Sequence, residues 1–282
     1  MNLTRLICLL TFTVLISAAS AAEWDLVFSD EFDYAGLPDP NKWNYEVGFV
    51  RNNESQYYTR ARKENTRVED GMLIIEAIKE KFPNAAYNPD SQNRRGGNSR
   101  RTQEFAEYTS ASLITNGKAS WCYGRIEVRA KLPTGLGTWP AIWMLGTNMR
   151  EVGWPTCGEI DIMENVGFDP NRIHANIHTQ EYNHVRGTAK GNNIEVEKPY
   201  EKFHVYAIEW FEDHMDFFID DNKYFTFKNE GTGNGVWPYD KEHYLILNLA
   251  IGGSWGAQKG IDDSIFPQKY YIDYVRVYKE KK

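Results

Sequence analysis

The sequence predicts an all-β domain, a β-jelly-roll sandwich of two antiparallel sheets with an open concave cleft, and three observations predict it. Apolar residues recur with period two, as in Arg125-Ile126-Glu127-Val128-Arg129-Ala130-Lys131, where Ile126, Val128 and Ala130 share one face and the charges take the other. Turn signals bound such segments, among them Glu69-Asp70-Gly71, Asp220-Asp221-Asn222 and Gly252-Gly253. No stretch carries a helical stripe of three turns, so sheet must pack on sheet.

Residues 1–22 differ from the rest. Arg5 gives a positive start, 6–16 is an apolar run, and Ala19-Ser20-Ala21 supplies small residues, the pattern of a secretory signal peptide cleaved near Ala21/Ala22. That run falls short of the roughly 20 apolar residues a membrane span needs, and no later stretch reaches it. The expectation is a mature chain of one domain, 23–282, monomeric and secreted or periplasmic.

Strand patterns rich in Val, Ile, Tyr, Phe and Trp then follow at 72–77, 110–114, 125–131, 141–145, 160–163, 203–210, 215–219, 224–227, 244–250 and 271–278. The connection 82–103 is long for a compact β domain and carries Arg94, Arg95, Arg100 and Arg101. It reads either as a solvated surface loop or as a flap at the rim of a cleft. With Cys8 in the leader, Cys122 and Cys157 remain, and nothing in the sequence fixes whether they pair.

The chain holds 9 Trp, 17 Tyr and 14 Phe, a large supply of flat apolar rings. Its formal net charge of -7 argues against binding a polyphosphate backbone, so a nucleic-acid partner is not expected. No GxSxG elbow, P-loop or dinucleotide fingerprint occurs.

The chemistry concentrates in Gly158-Glu159-Ile160-Asp161-Ile162-Met163-Glu164. In a regular strand Glu159 and Asp161 share a face while Glu164 enters the core beside Ile160 and Ile162, at high cost for a carboxylate. A β-bulge around Met163 returns Glu164 to the acidic face. A plain polar-out strand is the ordinary alternative, but three acids with no Lys or Arg between them repel one another. Retaining glycoside hydrolysis needs such a set, with a nucleophile and an acid/base ~5–5.5 Å apart. In that scheme Glu159 attacks, Glu164 protonates the leaving oxygen, and Asp161 keeps their proton affinities apart.

Just upstream, Trp139 and Trp143 are four apart and share a face of an unbroken strand, as an aromatic wall for sugar rings or as core. Trp255 sits in a Gly-rich loop, suited to stacking. His174 and His178 flank Asn176 with period two, but no HExxH pattern or third ligand accompanies them, so His178 is expected as a polar contact near the leaving group and not as a zinc ligand.

These motifs, with Gly137-Thr138-Trp139-Pro140-Ala141-Ile142-Trp143-Met144-Leu145 and Ile272-Asp273-Tyr274-Val275-Arg276-Val277-Tyr278, resemble glycoside hydrolase family 16, the bacterial endo-β-glucanases that include laminarinases and lichenases. The resemblance implies a jelly-roll that hydrolyses internal β-linkages with retention, with Glu159 as nucleophile, Glu164 as acid/base and Asp161 assisting. It implies sugar contacts at Trp139, Trp143, His178, Asn53 and Glu107, and a β-glucan polymer as partner. No cofactor is needed for the chemistry. It further implies a structural calcium held by Asp273 with main-chain carbonyls at Glu31 and Gly71.

One departure stands out. Laminarinases often read Tyr-Thr-Ser-Gly-Arg where this chain has Tyr108-Thr109-Ser110-Ala111-Ser112, which moves weight toward mixed-linkage β-1,3-1,4-glucan. The arginines of 82–103 keep an agarase- or porphyranase-like galactan hydrolase in view, because guanidinium pairs with sulfate. A non-catalytic lectin on the same sandwich needs the tryptophans but not the acids.

Overall fold

The computed structural model describes residues 23–88 and 99–281, so the expected signal peptide, Arg94 and Arg95 lie outside the described residues. Two sheets face each other. The back sheet runs in the order Asn222–Lys228, His214–Ile219, His204–Trp210, Gly124–Lys131, Gln268–Glu280, Met72–Pro83, Phe105–Ser110, Gln56–Tyr58, with Trp24–Asp30 and Thr66–Glu69 pairing alongside. The cleft sheet runs Lys190–Glu195, Arg172–His178, Glu159–Glu164, Thr138–Gly146, His243–Ile251, Ser112–Ile114, Asn44–Tyr45. Pairing is antiparallel except between Gln56–Tyr58 and Phe105–Ser110, which run parallel.

Period two decides which residues meet between the sheets. Ile126 and Val128 enter from the back sheet with Ile208, Val275 and Val277, against Ile142, Met144, Ile160 and Leu247 from the cleft sheet. Each such side chain gains roughly 1.5–3 kcal/mol on leaving water, which is what fixes the strand registers. The helices are single turns, Met149–Val152 and Gly253–Gly256, and neither covers a sheet. The outer face of the cleft sheet is therefore left open.

Cys122 and Cys157 are both free thiols. Burial pushes the Cys157 thiol up to about 12, with repulsion from Glu159 adding to it.

Candidate active site

A cleft of about 2030 Å³ crosses this face from Tyr45 at one edge of the sheet to Ala189 beside the other. Glu159, Asp161 and Glu164 lie on its floor. Against the neighbouring strand, Asp161 pairs with Trp143 but Met163 pairs with Ile142, so an extra residue is inserted between them. Ile160, Ile162 and Met163 are all fully buried in the core. The bulge thus keeps a glutamate out of an isoleucine-lined interior and brings three acids to one surface.

Each acid is held by named partners. Trp154 Nε1 donates to Glu159 Oε2 at 2.9 Å. Trp139 Nε1 donates to Glu164 Oε1 at 3.0 Å, and Asn176 Nδ2 to Glu164 Oε2 at 3.3 Å. His178 stands opposite Glu159 in register, with Nε2 at 3.3 Å from Asp161 Oδ2 and 3.6 Å from Glu159 Oε1.

Burial raises the pKa of both glutamates, and the charge of Asp161 raises them further. Glu164 also feels Glu159; an indole hydrogen bond and the charge of His178 draw each glutamate down, through Trp139 for Glu164 and Trp154 for Glu159, and Arg51 acts on Glu159 besides. The two carboxyls therefore resist ionising together. Burial pulls His178 down, but its hydrogen bond to Asp161 and the surrounding carboxylates raise it to about 9, so it is cationic at neutral pH. Atoms of Glu159, Asp161 and His178 lie within 4.8 Å of one another, close enough to chelate a cation. A protonated imidazole has no lone pair to give, and the trio acts instead as an internal ion pair.

Trp139 and Trp143 both line the cleft, as their even spacing predicts. Trp255 meets Trp139 edge-on at 5.5 Å between ring centroids and His174 at 5.0 Å. Trp143 has a different role from a bare sugar platform. The Arg51 guanidinium carbon sits 4.8 Å from its ring centroid, and Trp143 Nε1 donates to Asn248 Oδ1 at 2.7 Å.

Two expectations need correction. Glu107 is exposed and lies outside the cleft lining, because Ala106 and Tyr108 on either side of it turn inward. Asn52, not Asn53, lines the cleft, since both adopt positive φ and the chain turns Asn53 away. At the calcium positions, Asp30 pairs with Val275 and Leu73 with Ile272, so Glu31, Gly71 and Asp273 are close on adjacent strands, and Asp273 is the bulge residue against Gly124–Lys131. Yet the Asp273 carboxylate bonds Arg129, and Glu31 pairs with Arg276. An ion at this place would have to compete with Arg129 for the Asp273 carboxylate, while the Arg276 pairing leaves the Glu31 carbonyl unaffected.

Sequence reasoning missed Trp154, Arg51, Glu46 and Glu54. Glu54 is 2% exposed and accepts from Gln56 Nε2 at 2.7 Å. The expectation at Asn53 marked the right turn, but the acid that follows it carries the network. Arg101, on the long connection, donates to the carbonyls of Phe49 and Val50 at 2.8 and 2.7 Å, and Arg100 to that of Asn53 at 3.4 Å. Both tie the cleft rim to its neighbouring loop.

An open trench across a sheet, with a pair of buried glutamates part-way along it that resist ionising together, is built to cut a polysaccharide between its ends, which makes this a glycoside hydrolase. The chain belongs to the glycosyl hydrolases family 16, whose profile matches residues 53–276. It is 49% identical over 268 residues to a beta-glucanase of Rhodothermus marinus, covering 92% of this chain and 86% of that protein. It is similar to the solved laminarinase of Rhodothermus marinus, with TM-score 0.82, 48% identity and coverage of 93% and 99% of the two chains. It is also similar to a solved non-specific endo-beta-1,3(4)-glucanase of the same family, with TM-score 0.80, 44% identity and 94% coverage of each chain.

Proposed function

We propose that the protein is a secreted endo-acting β-glucanase that hydrolyses internal linkages of mixed-linkage β-1,3-1,4-glucan and β-1,3-glucan with retention. The observation that carries this is that one bulged strand brings Glu159, Asp161 and Glu164 together on the cleft floor, each glutamate held by its own indole donor. The printed activities of the relatives, beta-glucanase, laminarinase and endo-beta-1,3(4)-glucanase, support the substrate class.

In the first step ionised Glu159 attacks the anomeric carbon while Glu164 gives its proton to the departing glycosidic oxygen. In the second, Glu164 takes a proton from water, the water oxygen attacks the anomeric carbon, and Glu159 is released. Trp154 aims Glu159 and spreads its charge, Trp139 and Asn176 fix Glu164, and the Asp161–His178 pair holds a compensating charge between them.

The galactan reading leaned on the arginines of 82–103. Within the described residues of that segment, Arg100 and Arg101 bond main-chain carbonyls, which gives both a part in holding the cleft rim. Secretion follows from the leader read in residues 1–22; among the described residues no helix is long and apolar enough to cross a membrane. We take the enzyme to act as a monomer. A calcium at Asp273 would require that residue to give up Arg129. A rise in melting temperature on adding calcium chloride, absent in Asp273→Ala, would support that ion.

The test is incubation of the mature protein, beside Glu159→Gln, with laminarin, barley mixed-linkage glucan, lichenan, agarose and porphyran, reading new reducing ends and product sizes. Internal cleavage of a β-glucan by the parent alone upholds the reading. Cleavage of a galactan only, or binding without cleavage, refutes it.

A further inference from the structure

We propose that Arg51 and Glu46, mounted on Trp143, form a sugar-reading pair that selects an uncharged glycosyl ring over a sulfated one. This rests on the glucanase reading and deepens it. Both residues come from the connection between Asn44–Tyr45 and Gln56–Tyr58, at the edge of the cleft sheet, and both line the cleft. They are ion-paired to each other, with side chains 22% and 15% exposed, so they reach the cleft without freedom to swing.

The mounting is rigid. Trp143 is pinned by Asn248, which donates to the Tyr58 hydroxyl at 3.0 Å. Glu46 Oε2 accepts from Ser112 Oγ at 2.7 Å. A sugar approaching Trp143 therefore meets the Arg51 guanidinium, with the Glu46 carboxylate paired to it, before it meets the indole.

Arginine offers only donors and an ionised glutamate only acceptors, whereas each sugar hydroxyl both donates and accepts. The pair complements two neighbouring hydroxyls. Its charges cancel, and the Arg51 charge also acts on Glu54 and Glu159, so a sulfate there would find a neutralised cation ringed by carboxylates.

The pair also accounts for the departure at Ser112. A long cationic side chain at 112 would meet the Glu46 carboxylate that the Ser112 hydroxyl now bonds. The guanidinium is relocated to Arg51, not lost.

The experiment compares Arg51→Met, which keeps an apolar stem on Trp143, with Arg51→Met/Ser112→Arg, on whichever β-glucan the parent cleaves. The single variant is expected to lose about 10- to 100-fold in kcat/KM, mostly through KM, as removal of hydrogen bonds from a charged group does. The double variant is expected to recover most of the loss, with both melting cooperatively near the parent temperature. Titrations in a Glu159→Gln background add a second readout: Glu46→Gln should narrow the preference for neutral laminari-oligosaccharides over sulfated porphyran oligosaccharides. Activity of Arg51→Met within twofold of the parent overturns the proposal, as does an unchanged preference in Glu46→Gln. If the parent cuts no β-glucan, the functional reading has failed, and the titrations still judge the pair.

Discussion

The indole Nε1 of Trp154 lies 2.9 Å from Oε2 of Glu159, five residues further along the chain. The same ring packs against His184 at 5.2 Å and His178 at 5.9 Å between centroids, so its donor cannot turn away from Glu159. This contact favours the ionised carboxylate, and its removal should raise the pKa of Glu159. Trp154→Phe is expected to lower kcat by about tenfold, the worth of one hydrogen bond to a charged group, and to shift the acid limb of the kcat/KM profile upward. An unmoved limb would show that Trp154 only packs.

Glu159→Gln should abolish turnover, by at least ~10³-fold, because the amide is no nucleophile. Binding of a laminari-oligosaccharide should persist, as read by calorimetry. Loss of binding together with turnover would point to collapse of the site.

The pH dependence follows from both glutamates having pKa values raised first by burial and then by Asp161. The proposed mechanism needs Glu159 ionised and Glu164 protonated, so both limbs of the profile should lie above the ordinary glutamate value of 4.5. For stability the sign is opposite to that of a salt-bridged acid. A carboxyl whose folded pKa is raised favours the fold below its unfolded pKa, and that contribution is lost as pH climbs through the folded value. Glu164→Gln should therefore melt several degrees higher than the parent at neutral pH, on the order of 2–4 °C per kcal/mol, and show no gain near pH 4. A variant that melts lower at neutral pH would contradict the assignment.

His178 obeys the companion rule. Its pKa of about 9 lies above the ordinary histidine value of 6.5, so its pairing with Asp161 stabilises fully below 6.5 and is lost as pH rises through about 9. The gap in stability between parent and His178→Gln, followed by denaturant melts from pH 5 to 10, should close across that window. A constant gap would mean that His178 contributes packing alone.

The bulge is testable by deletion. Removing Met163 restores regular alternation and drives Glu164 toward Ile160 and Ile162, so the variant should fold poorly or lack activity altogether. Retained activity would show that the strand reaches the same face by another route.

Much of this was legible from alternation. The strand around Ile126 and Val128, the shared face of Trp139 and Trp143, and the bulge that frees Glu164 all follow from side chains pointing to opposite sides at successive positions. Residues placed by turns were not legible. Asn52 and Asn53 both have positive φ, and the sequence could not say which would face the cleft. Trp154 precedes Pro155 in a loop with no period, and Arg51 reaches Trp143 from a connection about 90 positions upstream, a distance no local pattern encodes. Glu107 was misplaced for the opposite reason: family likeness outweighed the inward turn of Tyr108, which alternation would have honoured.

The strand bearing Glu159 and Glu164 is not central in its sheet; two strands lie on one side of it and four on the other. At about 4.8 Å per strand, that is roughly 10 Å of floor against 19 Å. A polymer laid across the strands is thus gripped over about twice the length on one side of the cut. Short chains will slide to fill the longer arm before they are severed, and the enzyme will measure its fragments by the width of its own sheet.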